Sequence, residues 1–194
     1  MKKLHQLILG VLIISLSSCA SFSNKISKKE SVRLTKKNIQ DIEGTYEFQP
    51  FKSFGARGNR VYDVSNDIKN IDQYLVGEAI AFGSKTDYTV DLKVVSQHEI
   101  SFSFKNKNTL VYETTLKMKL KSNGLIHLDN KYVKATGIPF LFGGITSKKM
   151  RIGLSKEGNL LLNYAYDSFG SILIFSAGTS YNHSHHYKKI NSSL

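Results

Sequence analysis

The chain has one cysteine, Cys19, in 194 residues. That scarcity excludes a disulfide framework and a cysteine-built zinc site, and it leaves a folded domain without a spare thiol nucleophile. Acidic residues are also few: 15 Asp and Glu stand against 27 Lys and Arg, a net charge of +12. Such a basic balance suits negatively charged partners, namely anionic lipid headgroups, acidic glycans or nucleic acid, and equally a solvated surface that simply uses lysine. No apolar run is long enough to cross a bilayer, since Leu7 to Ile14 falls short of the roughly 20 residues a spanning helix needs. Nor does the sequence hold a Walker-type phosphate loop or a local nucleophile-base arrangement. We therefore expect no cofactor, no metal and no catalytic residues.

What the amino terminus does hold is a secretory signal over residues 1–18, with Lys2 and Lys3 ahead of the apolar run. The residues that follow, Leu16-Ser17-Ser18-Cys19, resemble the lipobox of bacterial lipoproteins. The resemblance implies cleavage before Cys19, a diacylglyceryl group on its sulfur and usually a further acyl chain, such as palmitate, on the new amino group. At roughly 0.8 kcal/mol per buried methylene, two or three chains hold a protein on a membrane where one binds only marginally. An ordinary signal peptide with a cysteine near the cut is the competing reading. Cleavage would remove only Lys2 and Lys3, leaving 25 − 15 = +10. The expected location is the cell envelope, on the outer membrane or its periplasmic face, which argues against nucleic acid as a partner.

Residues 19–40 are rich in Ser, Lys and Asn without a sustained apolar period, and read as the lipidated cysteine and a flexible tether. Residues 181–194 read as a loose polar tail. Between them, residues 41–180 suffice for one domain. Tyr88, Val90, Leu92 and Val94 alternate with polar residues, as do Ile100, Phe102 and Phe104, then Leu116, Met118 and Leu120. Asn123-Gly124 is the strongest hairpin signal, because a type I′ turn needs positive φ at both central residues. Ile126 and Leu128 follow it. After an irregular stretch from Gly137 to Gly144 come Met150, Ile152 and Leu154, then Leu160 to Tyr166, a turn at Ser168-Phe169-Gly170, and Ile172 to Phe175. With Gly44 to Phe48 in front, the pattern is an all-β, antiparallel up-and-down meander of about eight strands. Closure into a barrel would remove its open edges. Ile68, Ile71 and Leu75 have the spacing of a short helix.

Two further resemblances bear on the domain. Gly44-Thr45-Tyr46, at the start of the first strand, is similar to the Gly-x-Trp opening of lipocalins, with Tyr46 in place of Trp. Lipocalins pair that ring with an Arg near the last strand, and Ser171 to Phe175 contains none. Lys134 to Asn163 is similar to small lipoproteins of Bacteroidota, which implies a bacterial setting and no particular activity.

The inward alternation places Phe102, Phe104, Met118, Leu120 and Tyr164 as candidate lining for an apolar or amphipathic small ligand inside a lipocalin-like barrel. The alternative is a filled barrel, an envelope interaction or structural protein whose Lys117, Lys119 and Lys121 form a basic docking face. His183, His185 and His186 are close in sequence but lie in the expected loose tail, where a solvated role outweighs metal binding. His98 and His127 fall in expected strands and take structural roles. Gly143 to Lys148 reads as a glycine-rich turn, and Gly55 to Arg60 as a flexible basic loop.

Overall fold

A computed structural model describes residues 21–55, 60–61, 70–76, 80, 87–138, 142–172 and 175–190. The signal segment 1–18 and Cys19 lie outside the described residues. No described helix is long and apolar enough to cross a membrane.

Alternation produces the expected hairpins at the centre of the chain. Strands β4 (Tyr88–Ser96), β5 (Glu99–Asn106) and β6 (Thr109–Leu120) pair antiparallel in succession. The type I′ geometry anticipated at Asn123-Gly124 is found one turn earlier: Lys107 and Asn108 have φ of 47° and 68°, and Asn106 pairs directly with Thr109. At the later turn only Gly124 is positive, with φ 82°. There the Lys121 N–H donates to the Leu125 carbonyl at 2.9 Å, and the Gly124 N–H to the Lys121 carbonyl at 2.9 Å. Glycine is needed at 124 for a second reason: a Cβ would stand 2.6 Å from the Arg33 backbone, which crosses it.

Four strands of 13 residues follow, β7 (Ile126–Ile138), β8 (Phe142–Leu154), β9 (Leu160–Ile172) and β10 (Phe175–Tyr187). They are longer than the sequence pattern suggested. The stretch expected to be irregular from Gly137 to Gly144 is the end of the β7–β8 hairpin, and the turn expected at Ser168-Phe169-Gly170 lies inside β9. Small residues hid this ladder by breaking the apolar alternation while serving its geometry. Gly137 pairs with Gly143, both at positive φ, and a Cβ on Gly143 would meet the Thr136 carbonyl oxygen at 2.0 Å.

The strands β1 (Gly44–Glu47), β2 (Lys52–Phe54), β3 (Arg60–Val61) and β11 (Lys189–Ile190) complete one sheet in the order β11-β1-β4-β5-β6-β7-β8-β9-β10-β2-β3. This corrects the expected closed barrel of about eight strands: among the described residues the sheet has eleven, with β11 and β3 at its ends, and it is not closed. Its two ends are linked by chain. Phe48 to Phe51 joins β1 to β2, and Lys188 alone joins β10 to β11. The Glu47 N–H donates to the Lys188 carbonyl and the Phe51 N–H to that of His186, at 2.9 and 3.0 Å. These isolated bonds replace a continuous ladder because residues 48–51 shift the register between the two segments.

Both chain ends depart from expectation. Residues 21–43 carry a helix at Lys25–Glu30, an isolated bridge from Ser31 to Ser155 and a 3-10 turn at Ile39–Ile42. The Val32 N–H donates to the Leu154 carbonyl at 2.8 Å, and Ile26 and Leu34 are buried. Their apolar residues are too widely spaced to register as a period, yet each fills a place on the sheet. The supposed polar tail from 181 to 190 is the inner half of β10 together with β11, and its Tyr187 is fully buried. The short helix expected near Ile68 to Leu75 is present at Ile71–Leu75, while residue 68 lies outside the described residues.

One core unites the sheet. Phe102 and Phe104 are wholly enclosed, Met118 and Tyr164 nearly so, and Leu120 packs partly buried against them. Tyr46 is also enclosed; its hydroxyl donates to the Ile42 carbonyl at 2.7 Å, and Lys189 Nζ lies 5.7 Å from its ring centre. In a core filled this way Phe102→Ala is expected to destabilise the fold by about 3–5 kcal/mol in urea unfolding. A loss below about 1 kcal/mol would indicate an empty interior instead.

Candidate functional site

The ladder between β6 and β7 is short, joining only Met118–Leu120 to Ile126–Leu128, and the β7–β8 register shifts just beyond, between Leu128 and Tyr132. The strands part there. Beside the opening lies a groove of about 570 Å³ whose wall includes Lys117, Lys119 and Lys121 of β6, Lys149 of β8 and, at its floor, His127. Asp129 is the one carboxylate among its described lining residues. The three lysines read from sequence as a basic face thus meet a fourth from another strand.

Ser21 and Phe22 close one side of this groove, held there by Arg151. The Arg151 side chain is only 3% exposed. Its Nε donates to Asn163 Oδ1 at 3.0 Å, and its Nη2 to the Ser23 carbonyl at 2.8 Å and to Ser27 Oγ at 3.2 Å. Phe22 lies against the guanidinium, with 4.4 Å from Cζ to the ring centre, and meets His127 edge-on at 5.3 Å. Among the described residues, every oxygen that Arg151 bonds is neutral. Burial pulls its pKa down to about 10, so it keeps its charge at neutral pH. His127 is driven down to about 4, first by burial and then by Arg151, Lys121 and Lys149. Four lysines against one carboxylate make the groove electropositive, and it can hold a phosphate or carboxylate by charge and by several ammonium donors.

The inner-face candidates fare differently. Phe102, Phe104 and Leu120 pack in the core, and Met118, nearly enclosed there, also borders the groove. Tyr164 stands at the core's edge, where it borders a concavity of about 320 Å³ with Tyr74, Asn130 and Met150. Burial raises its phenol pKa above the ordinary value.

The histidines expected in a loose tail are on β10, and His185 and His186 are buried. His185 Nδ1 is 2.8 Å from Ser53 Oγ and its Nε2 is 2.9 Å from the Tyr74 hydroxyl. That Ser-His pair has the reach of a nucleophile and base, but both residues are enclosed, so it links β2, β10 and the Ile71–Leu75 helix instead of meeting substrate. Among the described residues no group of three or more His, Cys, Asp or Glu is placed to hold a metal. His98 lies in the β4–β5 turn rather than in a strand, its N–H donating to Ser96 Oγ at 3.2 Å. Gly143 to Lys148 is strand, not turn. Residues 56–59 of the basic loop lie outside the described residues.

Sequence reasoning found three of the groove's four lysines, Lys117, Lys119 and Lys121, but not Lys149, Arg151 or Phe22. Alternation with Met150 and Ile152 puts Arg151 on the outer face, and no local signal says that residues 22–27 cover it. Comparison with protein-family models, with curated proteins and with solved structures finds no match to this chain.

Burial, followed by the charges of His183 and His186, pushes the His185 pKa down to about 3. Because the folded state resists a proton that the unfolded chain accepts near pH 6.5, the contribution is full above that pH and is lost as pH falls from there toward about 3. Melting temperature is expected to decline over this acid range, and His185→Gln is expected to flatten the decline. An equally steep decline in His185→Gln would remove His185 as its cause.

Proposed function

We propose that the chain is a non-enzymatic, lipid-anchored protein of the cell envelope, held through acylated Cys19, whose basic groove docks an anionic envelope component. The observation that carries this reading is the meeting of Lys117, Lys119, Lys121 and Lys149 beside the segment that leads back to Cys19. Ser21 lines the groove and lies two residues from that cysteine. An acyl anchor there would hold the groove close to a membrane surface, where anionic headgroups and glycans are concentrated. The filled inner face favours docking over the lipocalin-like alternative, an apolar ligand held inside the sheet. Lys189 over Tyr46 is the kind of contact that the lipocalin resemblance implies, but it concerns the framework and not a cavity.

One fractionation experiment tests both parts. Parent protein is expected in the envelope fraction at high salt, carrying metabolic fatty-acid label. Cys19→Ser is expected to lose the label and to remain bound only at low salt. Adding Lys117→Glu, Lys119→Glu and Lys121→Glu is expected to weaken that residual binding about tenfold or more, each charge near an anionic surface contributing about 1 kcal/mol. Labelled Cys19→Ser protein would contradict the anchor. Low-salt binding indifferent to the triple change would contradict the groove.

A further inference from the structure

Strands β7 to β10 run past the core and end together. Their last paired row places Ile138, Phe142, Ile172 and Phe175 side by side, one from each strand. Nothing described covers this row: Phe142 is 55% exposed, Ile172 70% and Phe175 75%. Three positions further back the opposite face of the sheet carries Ile145 and Phe169, also exposed. The tip is therefore apolar on both faces, and the connecting residues Pro139-Phe140-Leu141 and Leu173-Ile174 add no charge in sequence.

Charge is absent for a definite length. The nearest charged residue back from the end is Lys134, four positions behind Ile138, or about 13 Å along the strand. Behind it runs a row of Tyr132, Lys148, Tyr166 and Tyr181, with Lys148 Nζ 5.3 Å from the Tyr132 ring. Between the two lies a row of Val133, Ser147, Asp167 and Ser180 with one carboxylate. An uncharged apolar end, then a zone of two lysines and one carboxylate with amphipathic tyrosines, is the depth profile of a bilayer read from the acyl boundary out to the headgroups.

We propose that this four-strand tip inserts into the surface of an anionic lipid bilayer, as a contact separate from any acyl chain on Cys19. A second copy of the chain would cover one face of a sheet, or would add a strand to its edge. Here the apolar groups lie on both faces and crowd the strand ends, while Lys134 on the open stretch of β7 discourages edge pairing. Insertion is shallow. Along these distal stretches β7 and β10 have no described partner on their outer edges, and unpaired backbone groups are costly in hydrocarbon. The lipid takes in the charge-free rows, and Lys134 and Lys148 meet the headgroup phosphates.

Because Cys19 is the sole cysteine, Cys19→Ser with Ala177→Cys carries one thiol, near the tip, for an environment-sensitive fluorophore. The full chain is mixed with phosphatidylglycerol–phosphatidylethanolamine vesicles, with and without nitroxide on the acyl chains. Nitroxide is expected to quench the label at 177 and to spare one at Lys156→Cys, at the other end of β8. Adding Phe142→Ser and Phe175→Ser is expected to shift the lipid titration at least about tenfold, with melting unchanged because both rings are exposed. Absence of quenching at 177 would overturn the proposal, as would a titration indifferent to the two serines. Copies cross-linked through position 177 in lipid-free solution would assign the tip to self-association and overturn it too. None of these outcomes depends on acylation, so failure of the tip and failure of the Cys19 anchor are told apart.

Discussion

A guanidinium buried against neutral oxygens constrains this structure more than any other single group. Removing a charge from water is expensive, and Arg151 has no carboxylate among its bonded partners to offset the loss. Its compensation comes from the Asn163 amide oxygen, from the Ser23 carbonyl and Ser27 hydroxyl, and from the Phe22 ring. Three of these four partners belong to the segment ahead of the domain. That segment must therefore lie on the outer face of β8 for Arg151 to be tolerated there at all. The same placement presses Phe22 onto His127 and sets Ser21 at the rim of the lysine-lined groove.

The consequence is orientation. A lipid on Cys19 joined to a loose leash would let the domain turn freely, whereas a leash packed from Ser23 onward leaves few residues of slack. Were Cys19 acylated as proposed, the groove and the four-strand tip would be held within a few residues' reach of that anchor. Inside, the opposite face is closed by aromatic packing and by the His185 bridge among Ser53, Tyr74 and β10. Burial holds that imidazole, like His127 at the groove, in its neutral form, so acid disturbs both the interior and the groove.

Sequence was most informative where alternation was strict. β4, β5, β6 and the inner halves of β8 and β9 follow from their period, and Phe102, Phe104 and Met118 were correctly placed inward. It was least informative where small or polar residues sit at structural positions. Gly137 and Gly143 looked like loop residues but allow a hairpin to close tightly. The polar run from Tyr181 onward looked like a tail, although Tyr181 meets the Tyr164 and Tyr166 rings, His185 stacks on Tyr74, and His183 lies between Tyr181 and His185. Of the groove, Lys117, Lys119 and Lys121 were legible because they alternate along one stretch of chain, and Lys149 was not. Their partners across the sheet were not, since contact between Phe22 and Arg151 depends on long-range packing that no local period encodes.

Amide hydrogen exchange at residues 23–34 tests the central claim, that this segment belongs to the fold. The Ser31, Val32 and Leu34 N–H groups donate to Ser27, Leu154 and Gly124 carbonyls. They are expected to exchange slowly, on the scale of the β8 and β9 amides, and Arg151→Met is expected to speed their exchange while leaving β9 protected. Exchange of these amides in the parent protein at the rate of unstructured chain would contradict the account, because the segment would then be the flexible tether that its composition suggests.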